Sequence, residues 1–512
     1  MRSWSGRESA LNKLSERAFR GPFAFPHLRR VSGVYFHRRI FLIAVVVYLI
    51  TAWNSTGFHS ADEHFQVIAF AQWKLGDLPV EHLPWEFAAE IRSSFQPWIA
   101  VATFKVAALL GIHDPFMQAF LLRACTALLA LFAIRRFVNV VMVQYPQAEQ
   151  RTFILLSYSL WFIPFVSVRF SSEGWSAIFL LRTIAALISP GNKTRNGAVA
   201  GTFAGIALLC RPPVALIVLA LLAWSRLVRR DPPKLMLSMF AAAGGVLLIG
   251  VLLDTAFYGH AVWTTWNYIA LGMVGDPAHR FDELPWYYYP PWIVKYAIPP
   301  IGATILLAMV LLLWKRPSHL IVWCAVPYVV IHSYIAHKEL RFLYPLAFLV
   351  PWLLVEAWSI TGSIMPSGRP IGIAIVVLVL TNMIGLWMVM SSPAGEGRVR
   401  LAETLHREAR PGERIGYLVD PALLWRIELP AFYAPPTMEQ VVMDPALGLD
   451  ATEGLGYLVV QDGTELRSTD TGIKLEPIAR TTTRTEEALL YWHTWGEGQR
   501  PWTLYRVEHS ER

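Results

Sequence analysis

The sequence predicts an all-α polytopic membrane protein of about eleven transmembrane helices, followed by a small soluble α/β domain. Three observations carry that prediction. Of the 512 residues, 54% are hydrophobic and only 16% charged, and the mean hydropathy is +0.40; a soluble chain carries about a quarter charged residues. The apolar residues are gathered into long runs, and about 20 apolar residues in a helix cross a bilayer. The runs stop near residue 391, beyond which short strand-like segments alternate with turn residues.

Taken in order, residues 1–40 form a basic cytoplasmic segment with nine Lys or Arg against Glu8 and Glu16. The membrane domain occupies 41–391. Its candidate spans are 41–57, 97–111, 116–137, 152–168, 173–188, 198–224, 235–256, 292–313, 319–335, 342–360 and 370–390. The run 198–224 is interrupted by Arg211, Pro212 and Pro213 and can also be read as two short helices. Two long insertions, 58–96 and 257–291, leave the membrane. Residues 392–512 form the soluble domain, with strand-like runs at 414–419, 456–461 and 503–507 and a turn signal at Asp462 and Gly463. No internal repeat or low-complexity tract is present.

Charge sets the orientation. Lys and Arg accumulate on the cytoplasmic side, so the N-terminus is expected inside. The insertion 58–96, with six acids against Lys74 and Arg92, is expected outside. Arg226, Arg229, Arg230, Lys234, Lys315 and Arg316 then fall inside, and eleven spans leave the C-terminal domain outside. Arg135 and Arg136 fit this parity badly. The net charge of +8 is accounted for by topology, and no nucleic-acid partner is expected. The first apolar run lies behind a long basic segment with no small-residue cleavage site, which reads as a retained anchor. Cys125, Cys210 and Cys324 all lie in apolar runs and read as small core residues, neither paired nor zinc-binding.

Charged residues are costly within a bilayer, so clusters at span ends are where chemistry is sought. The first cluster is His59, Asp62, Glu63, His64 and Gln66, directly after the first span. Two adjacent carboxylates can supply a general base or a metal ligand; alone, they equally describe a solvated loop with a helix cap at Asp62. The same insertion continues through Trp85, Glu86, Glu90, Ile91, Arg92 and Ser93.

The second cluster is His337, Lys338, Glu339, Arg341 and Phe342. On a helix, His337 and Arg341 share a face and Lys338 nearly joins them. Such a face suits a phosphate, with Arg as a fork and Lys as a point charge. The alternative is a flank snorkelling to headgroups, but basic flanks favour the inside and the parity puts this one outside. The third cluster is the insertion with Asp254, Phe257, Tyr258, Gly259, Trp263, Trp266, Asn267 and the run Pro285–Tyr289. Interfacial aromatics usually form a belt; at this density they also suit stacking on sugar rings or packing on a lipid chain.

A carboxylate and a basic face on one side of a membrane suit a reaction of a lipid-linked glycosyl phosphate. The leaving group is an anion that needs cations, and the attacking hydroxyl needs a base. A soluble nucleotide-sugar donor usually calls for a glycine-rich strand-to-helix turn, which the sequence lacks.

These motifs, in this order, resemble the lipid-phosphate-mannose-dependent mannosyltransferases of glycosyltransferase family 22. Asp62-Glu63-His64-Phe65-Gln66 resembles the second half of the family's His-Pro-Asp-Glu-type motif. Trp85-Glu86 with Glu90-Ile91-Arg92-Ser93, Arg169–Glu173, and Asp254 through Tyr268 with Pro285–Tyr289 resemble its later motifs. His337-Lys338-Glu339 with Arg341-Phe342 is the most specific match. Ala61 stands where the family has proline, His59 lies one residue further out, and Thr265 replaces another proline.

The resemblance covers roughly residues 41–360. It implies the GT-C type of glycosyltransferase fold and a polyprenyl- or dolichyl-phosphate mannose donor. It also implies inversion of the donor's β-linkage to an α-mannoside on a glycolipid or glycan acceptor. Asp62 is then the expected general base and Glu63 its partner in positioning. His337, Lys338 and Arg341 are expected to hold the lipid phosphate, with Arg92 as a second phosphate ligand. Glu90, Trp266 and Asn267 complete the expected substrate-binding set. A single leaving phosphate requires no cofactor, and a divalent metal remains compatible with the sequence. Donors carrying arabinose or glucose are the nearest alternative. A lipid-linked sugar transporter is a more distant one, since the clusters sit at span ends and the halves do not repeat. The expected location is a bacterial plasma membrane or the endoplasmic reticulum.

Overall fold

The chain enters its first long helix at Pro26–Asn54, and that helix sets the two ends of the bundle. The computed structural model describes residues 26–274, 283–362, 369–394, 398–418, 432–435, 437–443, 454–461, 473–481 and 501–509. Most of the basic segment 1–40, residues 275–282 of the second insertion, and the turn at Asp462 and Gly463 lie outside the described residues.

Among the described residues, four helices are long and apolar enough to cross a membrane, and up to six spans result if each of two bent helix pairs counts as one. The chain is thus a multi-pass membrane protein. Its other apolar runs fold as shorter or broken helices, so length alone does not return the expected eleven. Helices Pro233–Tyr258 and Arg369–Ser391 turn Leu237, Leu248, Leu252, Ile373, Val376 and Leu380 outward. Outward apolar faces on helices of this length suit contact with lipid.

Two corrections concern the middle of the chain. The run expected to span at 97–111 is a 15-residue helix, Phe95–Leu109, whose two ends stay at the same end of the bundle. Its N-terminal end is tied to the helix Pro233–Tyr258, where Asp254 accepts from the Ser94 amide at 2.6 Å. Further along, Phe104 stacks on Phe432 at 5.3 Å. The next helix, Pro115–Val141, therefore begins where the first helix ends: Arg123 Nε donates to the Ala52 carbonyl at 2.7 Å. Twelve residues on, the Arg135 guanidinium lies 4.8 Å from the Phe41 ring, and Arg136 donates to Ser189 Oγ at 3.0 Å. Arg135 and Arg136 thus share the end occupied by Phe36 and His37, and the misfit in the charge parity disappears.

The second correction concerns the proline-broken run. The run 198–224 is two helices, Lys193–Cys210 and Ala215–Leu227, hinged at Arg211 and its two prolines. Lys193 pairs with Asp231 at 3.0 Å, so both helices return to the same end, leaving Arg211 at the other. Gly197, Gly201 and Gly205 line the face against Pro233–Tyr258; a Cβ at Gly201 would fall 2.1 Å from the Met239 carbonyl oxygen. Small residues at that spacing let helix backbones approach closely.

Beyond Ser391, the Ala394 amide donates to the Thr56 carbonyl at 2.8 Å. A five-stranded sheet comes next: β1 Arg414–Leu418, β2 Glu439–Met443, β3 Tyr457–Gln461, β4 Ile473–Arg480 and β5 Trp502–His509. The order is β2-β1-β3-β5-β4. The β1 pairings are parallel and the β5 pairings antiparallel. The helix Arg398–Glu408 buries Val399, Leu401, Ala402 and Leu405 in a core shared with Phe104, Leu122, Phe432 and Tyr433. The sheet therefore packs on the end of the bundle that carries Asp62.

Candidate active site

The acidic pair is built by a break in helix geometry. Ser60 caps a short turn, Ala61–Glu63, by accepting from the Asp62 amide at 3.3 Å. Asp62 lies inside that turn and does not cap it. The chain then winds as a π-helical turn, His64–Ile68, before the helix Ala69–Leu75. Wider π turns recur at functional sites because they re-aim side chains. Here the two neighbouring carboxylates part company. Asp62 faces a large cavity, whereas Glu63 is buried against Arg169 Nη1 at 3.6 Å. Burial pushes the Glu63 carboxyl pKa up against the pull of Arg169.

The basic side comes from across the bundle. Helix Leu320–Tyr334 ends at an extended Ile335, and a single 3₁₀ turn, Leu340–Leu343, carries Arg341. Its Nη1 donates to Asp62 Oδ2 at 2.7 Å and to Glu173 Oε1 at 3.3 Å. Its Nε and Nη2 form a fork on Glu339 at 2.5 and 2.7 Å. Glu339 also holds His337 Nε2 at 3.0 Å. Burial alone would raise the Glu339 pKa, but hydrogen bonds from His337 and Arg341 outweigh it and hold the carboxyl well below the usual range.

Two residues outside the expected set complete the site. Glu173, capped in place by Ser171 at the head of Ser172–Ile188, accepts from Arg211 Nη1 at 2.6 Å. Arg211 sits at the proline hinge with its guanidinium 4.8 Å from the Phe342 ring and its buried Nε without a partner. Arg92 approaches Asp62 at 3.9 Å and Glu86 at 3.8 Å. Glu90 precedes it at a φ of 51°, a left-handed backbone costing about 1–2 kcal/mol. The turn is held there by Asn267 Nδ2 donating to the Glu90 carbonyl at 3.2 Å.

Asp62, Arg92, Arg211, Glu339 and Arg341 line a cavity of about 2190 Å³. Its polar end presents Asp62, Arg92, Arg211, His337, Glu339 and Arg341; its far end presents Ile305, Leu306, Met309, Val326, Val330 and Leu353. His59 also lines it. An accessible carboxylate beside fixed guanidiniums can take a proton from a hydroxyl while an anion is held close by. Among the described residues, no group of three or more His, Cys, Asp and Glu is placed to hold a metal.

Of the expected site residues, the structure brings Asp62, Arg92, His337 and Arg341 to one wall. It removes others from that wall. Residues 337–339 are not helical, so the shared helical face does not form. Lys338 is 3% exposed, and its ammonium donates to the carbonyls of Leu284 at 2.6 Å and Ala336 at 3.4 Å. Glu63 points to Arg169. Glu90 pairs with His260 at 2.7 Å, and Trp266 packs against Trp263 at 6.1 Å. With Asn267, these residues lie off the cavity lining. The missed residues had a signal: Arg211 is an ionisable residue inside an apolar run, and Glu173 heads another.

Loss of the Glu339 carboxylate has a pH signature. Its depressed pKa means that its stabilisation is fully present above the unfolded value of about 4.3 and is lost progressively as pH falls from there through the lower folded value. Glu339→Gln is expected to melt lower than the parent at pH 7 and to show a shallower loss below about pH 4. Thermal melts across that range check it.

The helical bundle with its bent spans, polar cavity mouth and appended sheet is of the GT-C fold class. A crystal structure of ArnT from Cupriavidus metallidurans bound to undecaprenyl phosphate is similar over 91% of this chain and 97% of its own, with a TM-score of 0.52 at 12% identity. The chain belongs to the Alg9-like mannosyltransferase family, whose model matches residues 39–405. It is 25% identical over 266 residues to GPI alpha-1,2-mannosyltransferase 3 of Danio rerio, covering 51% of this chain and 48% of that one. It is 24% identical over 378 residues to GPI mannosyltransferase 3 of Drosophila melanogaster, covering 72% and 65%. The chain thus spans about half to two thirds of the length of these curated relatives.

Proposed function

We propose that this protein is an inverting α-mannosyltransferase. It moves mannose from a polyprenyl or dolichyl phosphate to a hydroxyl of a glycolipid or glycan. The observation that carries the reading is the contact of Asp62 with Arg341 at 2.7 Å, on the wall of a cavity that runs from a charged mouth into an apolar interior. A polyprenyl chain suits the apolar part and its phosphate the guanidiniums. Family membership supports mannose as the sugar. The relatives' names, mannosyltransferases of GPI, support a glycolipid acceptor.

In this mechanism the acceptor hydroxyl attacks the anomeric carbon from the face opposite the lipid phosphate. The carbon–oxygen bond to phosphate breaks, its electron pair leaves with the phosphate, and Asp62 takes the hydroxyl proton. Arg341, Arg211, Arg92 and His337 meet the departing anion. Glu63 serves the site by bracing Arg169. The charged end then faces the outer or lumenal side, with the sheet domain beside it. Counting the hinged pair twice and Phe95–Leu109 not at all keeps the crossings at eleven.

The direct test is purified protein in lipid with polyprenyl-phosphate mannose and a glycolipid acceptor, scored for donor consumption and product. No consumption of any mannosyl donor overturns the reading; consumption of an arabinosyl or glucosyl donor instead replaces the sugar. Within the reading, Lys338→Met is expected to lower the melting temperature while leaving the donor KM within about threefold. Arg211→Lys is expected to raise that KM about tenfold, since the planar fork is lost. Initial rates against donor concentration separate the two.

A further inference from the structure

One aromatic residue of the C-terminal domain is sunk into the membrane domain behind the acidic pair. Tyr433 is 2% exposed. Its ring lies 5.8 Å from the His64 ring and stacks on Phe116 at 5.5 Å, while the adjoining Phe432 stacks on Phe104. Its carbonyl bonds His406 Nε2 at 3.1 Å, anchoring it to the helix Arg398–Glu408. Its side chain lies beside Arg123, with which it lines one small void, and the Arg123 Nε donates to the Ala52 carbonyl.

Tyr433 therefore grips both ends of the segment that carries Asp62. Through Arg123 it holds the last turns of the first helix at Ala52, and directly it packs on His64 at the start of the π turn. The space between is a void of about 20 Å³ lined by Gly57, Phe58, Glu63, Arg169 and Tyr433. That is room for one water at most. Within the cavity, Asp62 is met by Arg341 on a separate 3₁₀ turn and, at 3.9 Å, by Arg92, so the backbone of its own segment is set from behind.

We infer that Tyr433 is a positioning residue: the C-terminal domain fixes the Asp62 segment from behind, and so sets the rate of proton removal without touching substrate. This rests on the proposed role of Asp62. A shift of about 1 Å in a reacting group costs roughly 10²-fold. Tyr433→Ala is accordingly expected to lower kcat about 50-fold with the donor KM within about threefold, since the phosphate ligands stand on other elements. Tyr433→Phe keeps the ring on His64 and is expected to recover kcat to within about fivefold of the parent.

The experiment pairs those kinetics with amide hydrogen exchange on the full-length protein in lipid. Faster exchange in 56–64 but not in Leu340–Leu343 is expected for Tyr433→Ala. Parental kcat, a parallel collapse of kcat and melting temperature, or unchanged exchange in 56–64 overturns the inference. If the parent transfers no sugar from any polyprenyl phosphate, the functional reading fails on its own. The exchange arm still decides whether Tyr433 holds the segment.

Discussion

Asp62→Asn is expected to reduce transfer from polyprenyl-phosphate mannose by about 10³-fold or more in kcat, leaving the protein folded and inserted. A positioned general base contributes typically about 10²–10⁴-fold, and the amide removes the basicity while keeping the shape. The side chain is partly exposed on the cavity wall, and Arg341 keeps Glu173 and Glu339 as partners. A melting temperature close to the parent's is therefore part of the expectation. Comparable product formation by the purified variant and parent would remove Asp62 as the base.

Arg341→Lys is expected to cost about 10²-fold in kcat/KM for the donor. The guanidinium spans three carboxylates, forking on Glu339 while reaching Asp62 and Glu173. An ammonium is a single point charge that cannot reproduce that fork or offer a planar face to phosphate. The lysine still supplies one positive charge, which limits the harm of leaving carboxylates unpaired. Steady-state rates with varied donor check it, and a loss under about threefold would show that the fork is not used.

Much of the architecture was legible because it is written in composition. Apolar runs of bilayer length and a change of character after Ser391 foretold helices before that point and strands beyond it, as the described residues have them. The expected strands at 414–419, 456–461 and 503–507 overlap β1, β3 and β5. The middle of the chain was not legible by counting. The run 97–111 is as apolar as a span but stays at the end of the bundle that carries Asp62, and its contacts with Asp254 and Phe432 say so.

The site divides in the same way. Asp62 and Arg341 stood out as charges at span ends, yet their meeting at 2.7 Å across 279 positions is a property of the fold. Lys338 looked equivalent to Arg341 because a helical register was assumed. An extended Ile335 ends the helix first, and the chain then directs the ammonium to backbone carbonyls. Glu173 and Arg211 stood in the sequence as a motif member and a helix break. Their pairing needed both to reach one end of the bundle, which the sequence parity denied to Glu173.

The triple engagement of Arg341 bears on product release. A lipid phosphate freed of its sugar carries more negative charge than the donor and would cling to a bare cluster of arginines. On the proposed reading, Asp62, Glu173 and Glu339 would take the guanidinium back as the anion loosens, and the carboxylates would act as built-in displacers of the spent carrier. On that reading, turnover would depend on how well three side chains compete with one phosphate for Arg341.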